Sequence, residues 1–175
     1  MSLTEKDLTH LRRTLSLATA ALEAGDAPFG SVLVNRTGTA LHEDRNRTST
    51  LNDATRHPEF ELARWAATNL TPEERSTATV YTSGEHCAMC AAAHAWVGLG
   101  RVVFVASVGQ LADWLREFSG DGDGEGKEKF AMPVAALPIT VVAPGVPVEG
   151  PVPELEEQIR DLHRRWVEKR REGMK

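Results

Sequence analysis

The sequence predicts an α/β fold: a layered sheet of five strands in mixed orientation, with helices packed against it. Three observations carry this. Segments of helical periodicity alternate with short β-branched runs, in the order helix, hairpin, helix, strand, helix, strand, helix, strand, helix. The first two strands are separated by only a short turn, so that pair is antiparallel. "RVVFVAS" (101–107) is an almost unbroken apolar run, the pattern of a strand covered on both faces. At 175 residues and 41% hydrophobic content, the chain reads as one domain spanning 1–175.

Each element follows from local chemistry. Leu8, Leu11, Leu15, Ala18 and Leu22 fall at helical spacing and Gly25 stands where a helix would stop, which predicts a helix over 4–24. "FGSVLVNRTGTALHEDRN" gives two strands turning at Asn35–Gly38, and "RTSTLNDATR" is a loop by composition. A second helix begins near His57, with Pro58 in its first turn where the missing N–H costs nothing, and ends near Asn69 ahead of "TPEER". "TATVYTS" is a strand, and the Ala-rich "AMCAAAHAWV" continues a helix from Cys87 to Gly98. Ser107 and Gln110 form a capping box that opens a helix through "QLADWLREF".

The Gly-rich, charged stretch 119–129 reads as a flexible loop. Asp121, Asp123 and Glu125 alternate as in a calcium loop, but Met132 stands where the bidentate Glu belongs, so calcium is not expected. "ITVVA" is read as the last strand. A C-terminal helix over 153–173 closes the chain, with Leu155, Ile159, Leu162 and Trp166 on one face.

Charge and composition narrow the function. The net charge of −5 disfavours a nucleic-acid partner, which needs clustered Lys and Arg. The one basic cluster (Arg164, Arg165, Lys169, Arg170, Arg171) is interleaved with Glu168 and Glu172 and reads as a solvated helix face. The start, "MSLTEKDLTHLRR", lacks the apolar core of a signal peptide, and no run approaches the roughly 20 apolar residues that span a bilayer. A cytoplasmic, membrane-free protein is expected. In that compartment two cysteines three apart, Cys87 and Cys90, point to metal or redox chemistry rather than a lasting disulfide.

Residues i and i+3 share a helix face, and a helix N-terminus favours thiolates, so Cys87 and Cys90 suit one zinc ion. Two routes complete the coordination. A structural site would recruit His86 and His94. A catalytic site needs only one more protein ligand, for which His57 qualifies, and keeps a position open for water. Glu59 would then act on that water as a proton acceptor. A thiol oxidoreductase is a further alternative, but it lacks the thioredoxin context and gives Glu59 no role.

An H-x-E triplet followed by C-x-x-C is the pattern of zinc nucleobase deaminases. "APFGSVLVN", "NDATRHPEFELAR" and "VYTSGEHCAMC", in that order, resemble the three blocks of the cytidine deaminase-like superfamily, in particular its guanine deaminase and tRNA adenosine deaminase branch. The resemblance runs from about Ala27 to Val105. It implies a three-layer α/β/α fold and a zinc cofactor held by His57, Cys87 and Cys90, with Glu59 as proton shuttle. It also implies substrate contacts from Asn46 and from Phe29, which could stack on a base. Glu85 contacts the base or supports the loop. His86, standing where relatives carry Pro, lines the pocket or lies behind it. Pro58 and Gly84 depart from the usual Ala and Cys.

Beyond Val105 the resemblance fades. Asp113 is a base contact or an exposed carboxylate, and Trp114 a stacking platform or a core residue. Trp65, Trp96 and Trp166 fit helix-face packing, and His10, His42 and His163 are read as surface or helix-face residues. The implied activity is hydrolytic deamination of a small heterocyclic base, a guanine-type purine favoured over a cytosine-like or s-triazine ring, and over tRNA adenosine because the chain is acidic. A homodimer is implied by the resemblance alone. The reading from another class is a non-catalytic zinc-structured binding module.

Overall fold

A computed structural model describes residues 3–119 and 132–173. Its elements are α1 (Glu5–Glu23), β1 (Gly30–Val34), β2 (Ala40–Arg45), α2 (Pro58–Asn69), α3 (Pro72–Thr77), β3 (Thr79–Gly84) and α4 (Ala88–Val97). They continue with β4 (Arg101–Ala106), α5 (Val108–Ser119), α6 (Ile139–Val142), β5 (Val148–Glu149) and α7 (Pro153–Gly173). The sheet order is β2-β1-β3-β4-β5, with β1 antiparallel to both neighbours and β3, β4 and β5 mutually parallel. This is the mixed five-stranded sheet read from the sequence.

The period of two along each strand divides the core into two layers. Val32, Val34, Tyr81, Val103 and Val105 face α1 and α7, where they meet Leu11, Leu15, Leu22, Leu155 and Ile159. Leu33, Val80, Val102 and Phe104 face the other way, onto Leu62 and Ala66 of α2 and Ala91 of α4. β4 is therefore apolar on both faces because both are covered. Thr4 and Asp7 close a capping box on α1, and Ser107 and Gln110 bond reciprocally at the start of α5.

Two local expectations fail. "TPEER" is a short helix rather than a connector: Thr71 caps it reciprocally with Glu74, and Pro72 fits its first turn. "ITVVA" is not a strand. Ile139–Val142 is one helical turn whose first N–H donates to Glu85 Oε1 at 2.8 Å, while the Ile139 side chain is fully buried in the second core layer. The fifth strand is Val148–Glu149, two residues paired with Val102 and Val103, confined by Pro147 and Pro151 on either side. The Gly-rich segment, with Asp121, Asp123 and Glu125, lies outside the described residues, apart from Ser119, which ends α5. Among the described residues no helix is long and apolar enough to cross a membrane.

Candidate active site

Two helices open at the C-terminal end of β3, and both break the usual capping rule. Ser, Thr, Asp or Asn normally occupies the N-cap and bonds a free backbone N–H. Here α2 begins with His57 and α4 with Cys87, and neither side chain caps its helix. Both point into the gap between the helices instead. Pro58 at the first position of α2 removes one N–H that would otherwise lack a partner. The loop leading to His57 is fixed by Asp26, whose carboxylate accepts from the Ser49 and Thr50 N–H groups, the Thr50 hydroxyl and Arg45.

His57 Nδ1 lies 3.7 Å from Cys87 Sγ and 3.7 Å from Cys90 Sγ, and the two sulfurs are 3.6 Å apart. Zinc–sulfur bonds of about 2.3 Å and zinc–nitrogen bonds of about 2.0–2.1 Å at tetrahedral angles place ligand atoms about 3.5–3.8 Å apart. The triangle fits zinc in size and in donor chemistry, with three protein ligands and room for a fourth group. Glu59 stands beside it, 5% exposed, with Oε2 3.8 Å from Cys90 Sγ and Oε1 accepting from the Thr82 hydroxyl at 3.1 Å.

The electrostatics follow from packing two thiols, an imidazole and a carboxyl into one group. Contact with the Cys90 sulfur, with further help from His57, pulls Cys87 down to about 4. The same contact and burial push Cys90 well up. Burial opposes charge on His57, but its bond to Cys87 and the nearby Glu59 carboxylate prevail and raise its pKa. Burial raises Glu59 above the usual carboxylate range, against the pull of His57.

A cavity of about 310 Å³ opens onto this group. His57, Glu59, Cys87 and Glu85 line it, with Phe29, Val108, Leu111 and Leu115 among its apolar walls and His163, Trp166 and Arg170 contributed by α7. Of the residues expected at the substrate, Phe29 lines the cavity. Glu85 reaches the cavity, but its two oxygens are engaged by the Val108 and Ile139 N–H groups at 2.9 and 2.8 Å, so it supports the wall. Asn46 is buried outside the cavity lining, and its Oδ1 accepts from the Thr48 N–H and hydroxyl.

Three residues entertained as substrate contacts lie off the cavity lining, and for Asp113 and Trp114 the alternative reading holds. His86 does not line the cavity: it is 1% exposed, edge-on to His94, and burial holds its pKa well below the usual value. Asp113 is an exposed carboxylate paired with Arg116 at 2.8 Å, because its turn of α5 faces solvent. Trp114 belongs to the core between the sheet and α7. His94 bonds the Gly100 carbonyl at 2.8 Å and lies outside the ligand triangle, which removes the His86/His94 structural zinc set. Trp96, expected to pack, is 89% exposed.

His163 and Trp166, which sequence alone places only on a helix face, line the cavity wall. The available signal was spacing: Ile159, His163, Trp166 and Arg170 form one stripe of α7, and a histidine inside an apolar stripe asks for a partner.

The description "Cytidine and deoxycytidylate deaminase zinc-binding region" matches residues 4–106. A probable cytosine deaminase from Schizosaccharomyces pombe is 29% identical over 151 residues, 86% of this chain and 91% of that protein. A guanine deaminase from Bacillus subtilis is 35% identical over 99 residues, 56% of this chain and 63% of that protein. The solved guanine deaminase from Nitrosomonas europaea superposes with a TM-score of 0.62 at 20% identity, covering 91% of this chain and 83% of that one, and so shares the fold. Matched over more than half its length, with a zinc-sized His/Cys/Cys triangle, the chain belongs to the zinc-binding cytidine and deoxycytidylate deaminase family of hydrolytic deaminases.

Proposed function

We propose that this protein hydrolytically deaminates a free nucleobase or a related amino-substituted heterocycle, with a guanine-type purine as the favoured substrate. The observation that carries this is the placement of the buried Glu59 carboxyl against the His57/Cys87/Cys90 triangle, in a cavity with largely apolar walls. At about 310 Å³ that cavity is at the small end of ligand pockets, which run from about 300 to 1,000 Å³, and suits one heterocycle.

In this reading His57, Cys87 and Cys90 hold zinc. The metal, when bound, supplies the Lewis acidity that makes water a nucleophile near neutral pH. Glu59 takes a proton as water adds to the ring carbon bearing the amino group, and returns it to the amino nitrogen. The carbon–nitrogen bond then breaks, ammonia leaves and a carbonyl remains, so one water is consumed per turnover. A raised Glu59 pKa suits both halves of this transfer, because the group must accept and release a proton in one cycle. Phe29, Val108, Leu111 and Leu115 keep bulk water from the reacting face.

A cytosine-like pyrimidine is the second reading, supported by the match that spans 91% of the cytosine deaminase. A tRNA substrate is disfavoured by the net charge of −5 and because Arg164 and Arg165 are engaged by Asp161 and Glu168. The proposal includes a homodimer, which sedimentation velocity checks. Ammonia release from guanine, cytosine, adenine, their nucleosides and s-triazines by zinc-loaded protein tests the activity, with Glu59→Gln alongside. Guanine turnover that vanishes in Glu59→Gln is the expected result. No turnover of any free base overturns the substrate class, and activity surviving Glu59→Gln overturns the proton shuttle.

A further inference from the structure

Most polar side chains on the cavity wall already have employment. His57, Cys87 and Glu59 form the chemical group, Glu85 is held by two backbone N–H groups, and Arg170 is exposed, resting over the Trp166 ring at 5.3 Å. His163 differs from all of these. It is 2% exposed and makes no hydrogen bond to any described residue. Its contacts are ring contacts, with Phe29 edge-on at 5.0 Å and Trp114 at 6.3 Å.

An imidazole stands out at that position. The neighbouring inward residues of α7, Ile159, Leu162 and Val167, are apolar, so an imidazole there adds no packing that a leucine would not supply and instead presents ring nitrogens to the cavity. His86, the other buried histidine without a hydrogen bond, has no access to the cavity and packs against His94. His163 lines the same cavity as Glu59, on the wall that α7 supplies.

We propose that His163 is a specificity-determining residue, whose uncharged imidazole hydrogen-bonds a ring nitrogen or carbonyl oxygen of the bound heterocycle away from its reacting amino group. This rests on the free-base reading above. Burial among aromatic rings brings His163 down to about 3, so at neutral pH one ring nitrogen donates and the other accepts. Such a contact favours uncharged rings with a donor or acceptor on that edge and rejects analogues without one, because the buried imidazole is then left unpaired. Phe29, against the edge of the same ring, holds its orientation.

The test compares zinc-loaded wild type, His163→Leu and His163→Gln, with zinc content and melting temperature checked for each. Ammonia release is measured over the base panel, and 8-azaguanine and cytosine binding is followed by calorimetry. His163→Leu is expected to raise KM for the preferred base about 10- to 100-fold. Its kcat should change less, and its preference between guanine and cytosine should shift. His163→Gln, which keeps a donor and an acceptor, should recover part of the loss. If His163→Leu does not fold, His163→Met is read by the same criteria. An active wild type whose Leu or Met variant keeps KM and base preference within about twofold overturns this inference alone. A wild type that neither turns over nor binds any base overturns the free-base reading and this inference together.

Discussion

Two buried carboxylates on opposite sides of the sheet are shifted in opposite directions. Asp7, on the α1 side, accepts from the Tyr81 hydroxyl at 2.6 Å, from Arg101 at 3.1 Å and from the Thr4 N–H at 2.7 Å. Burial alone would raise its pKa, but these donors bring it down to about 2. Arg101 continues to Glu149 at 2.8 Å, so the cluster ties α1 to β3, β4 and β5. Glu59, on the α2 side, has one hydroxyl donor and a thiol neighbour, and burial prevails. A carboxylate surrounded by donors serves the fold, whereas one left short of donors beside an open cavity is held ready for a proton.

This contrast is broken most directly at Glu59. Glu59→Gln removes the proton acceptor while keeping shape, so kcat should fall about 10³-fold, about 4 kcal/mol on the barrier. Stability should hold or rise, because the site disfavours the charge that is removed. Ammonia release and a urea midpoint read the two effects separately. A variant that loses stability rather than turnover would make Glu59 a structural carboxylate like Asp7.

Asp26 shows the satisfied kind of carboxylate in service to the site. It is fully buried, bonds Arg45 and holds the loop that delivers His57. Asp26→Ala leaves Arg45 and two N–H groups without their acceptor and should cost about 3 kcal/mol of stability. Zinc affinity should weaken as the loop loosens, which chelator competition measures.

Asp7→Asn should cost less, about 2 kcal/mol, with turnover unchanged. The folded pKa lies below the ordinary 3.8, so the carboxylate's contribution is complete above that value. It disappears as pH falls through about 2. The gap between wild type and Asp7→Asn should therefore be full at pH 7 and shrink from about pH 4 downward. Urea midpoints across that range check it, and a gap that widens in acid would reverse the assignment.

What the sequence made legible follows from where local chemistry and tertiary need agree. β1 to β4, α1 and α7 announce themselves by pattern, α2 by Pro58, α4 by its alanines, and the Ser107 and Gln110 box by spacing. His57, Cys87, Cys90 and Glu59 stand out because the C-x-x-C spacing and the H-x-E triplet form one pattern in sequence. "ITVVA" misled because β-branched residues favour strands, while a Glu85 acceptor, distant in sequence, fixes the first N–H of a helical turn. His86 and Asp113 each carried two readings for a similar reason: adjacency to a motif cysteine, or presence on the right helix, does not tell which way a side chain points. His163 is legible in sequence only as a histidine inside an apolar stripe of an amphipathic helix, and the cavity beside it is set by distant elements.

The smallest predicted effect tests whether the site side yields where the structural side cannot. A Cβ on Gly30 would stand 2.5 Å from the Thr14 carbonyl oxygen of α1, backbone that has nowhere to go. A Cβ on Gly84 would stand 3.0 Å from Cε1 and 3.3 Å from Cδ1 of Phe29, a side chain on the cavity wall that can tilt. Gly84→Ala should thus displace the Phe29 ring by a few tenths of an ångström and change stability by less than about 1 kcal/mol. Because Phe29 abuts His163, the displacement should appear as a KM increase of about threefold with kcat unchanged, about 0.7 kcal/mol of binding. Ammonia-release kinetics and a melting curve on the one variant separate the outcomes. A stability loss as large as that of Asp7→Asn would show the cavity wall to be packed as rigidly as the α1 side, and the difference between the two sides would then rest on Glu59 alone.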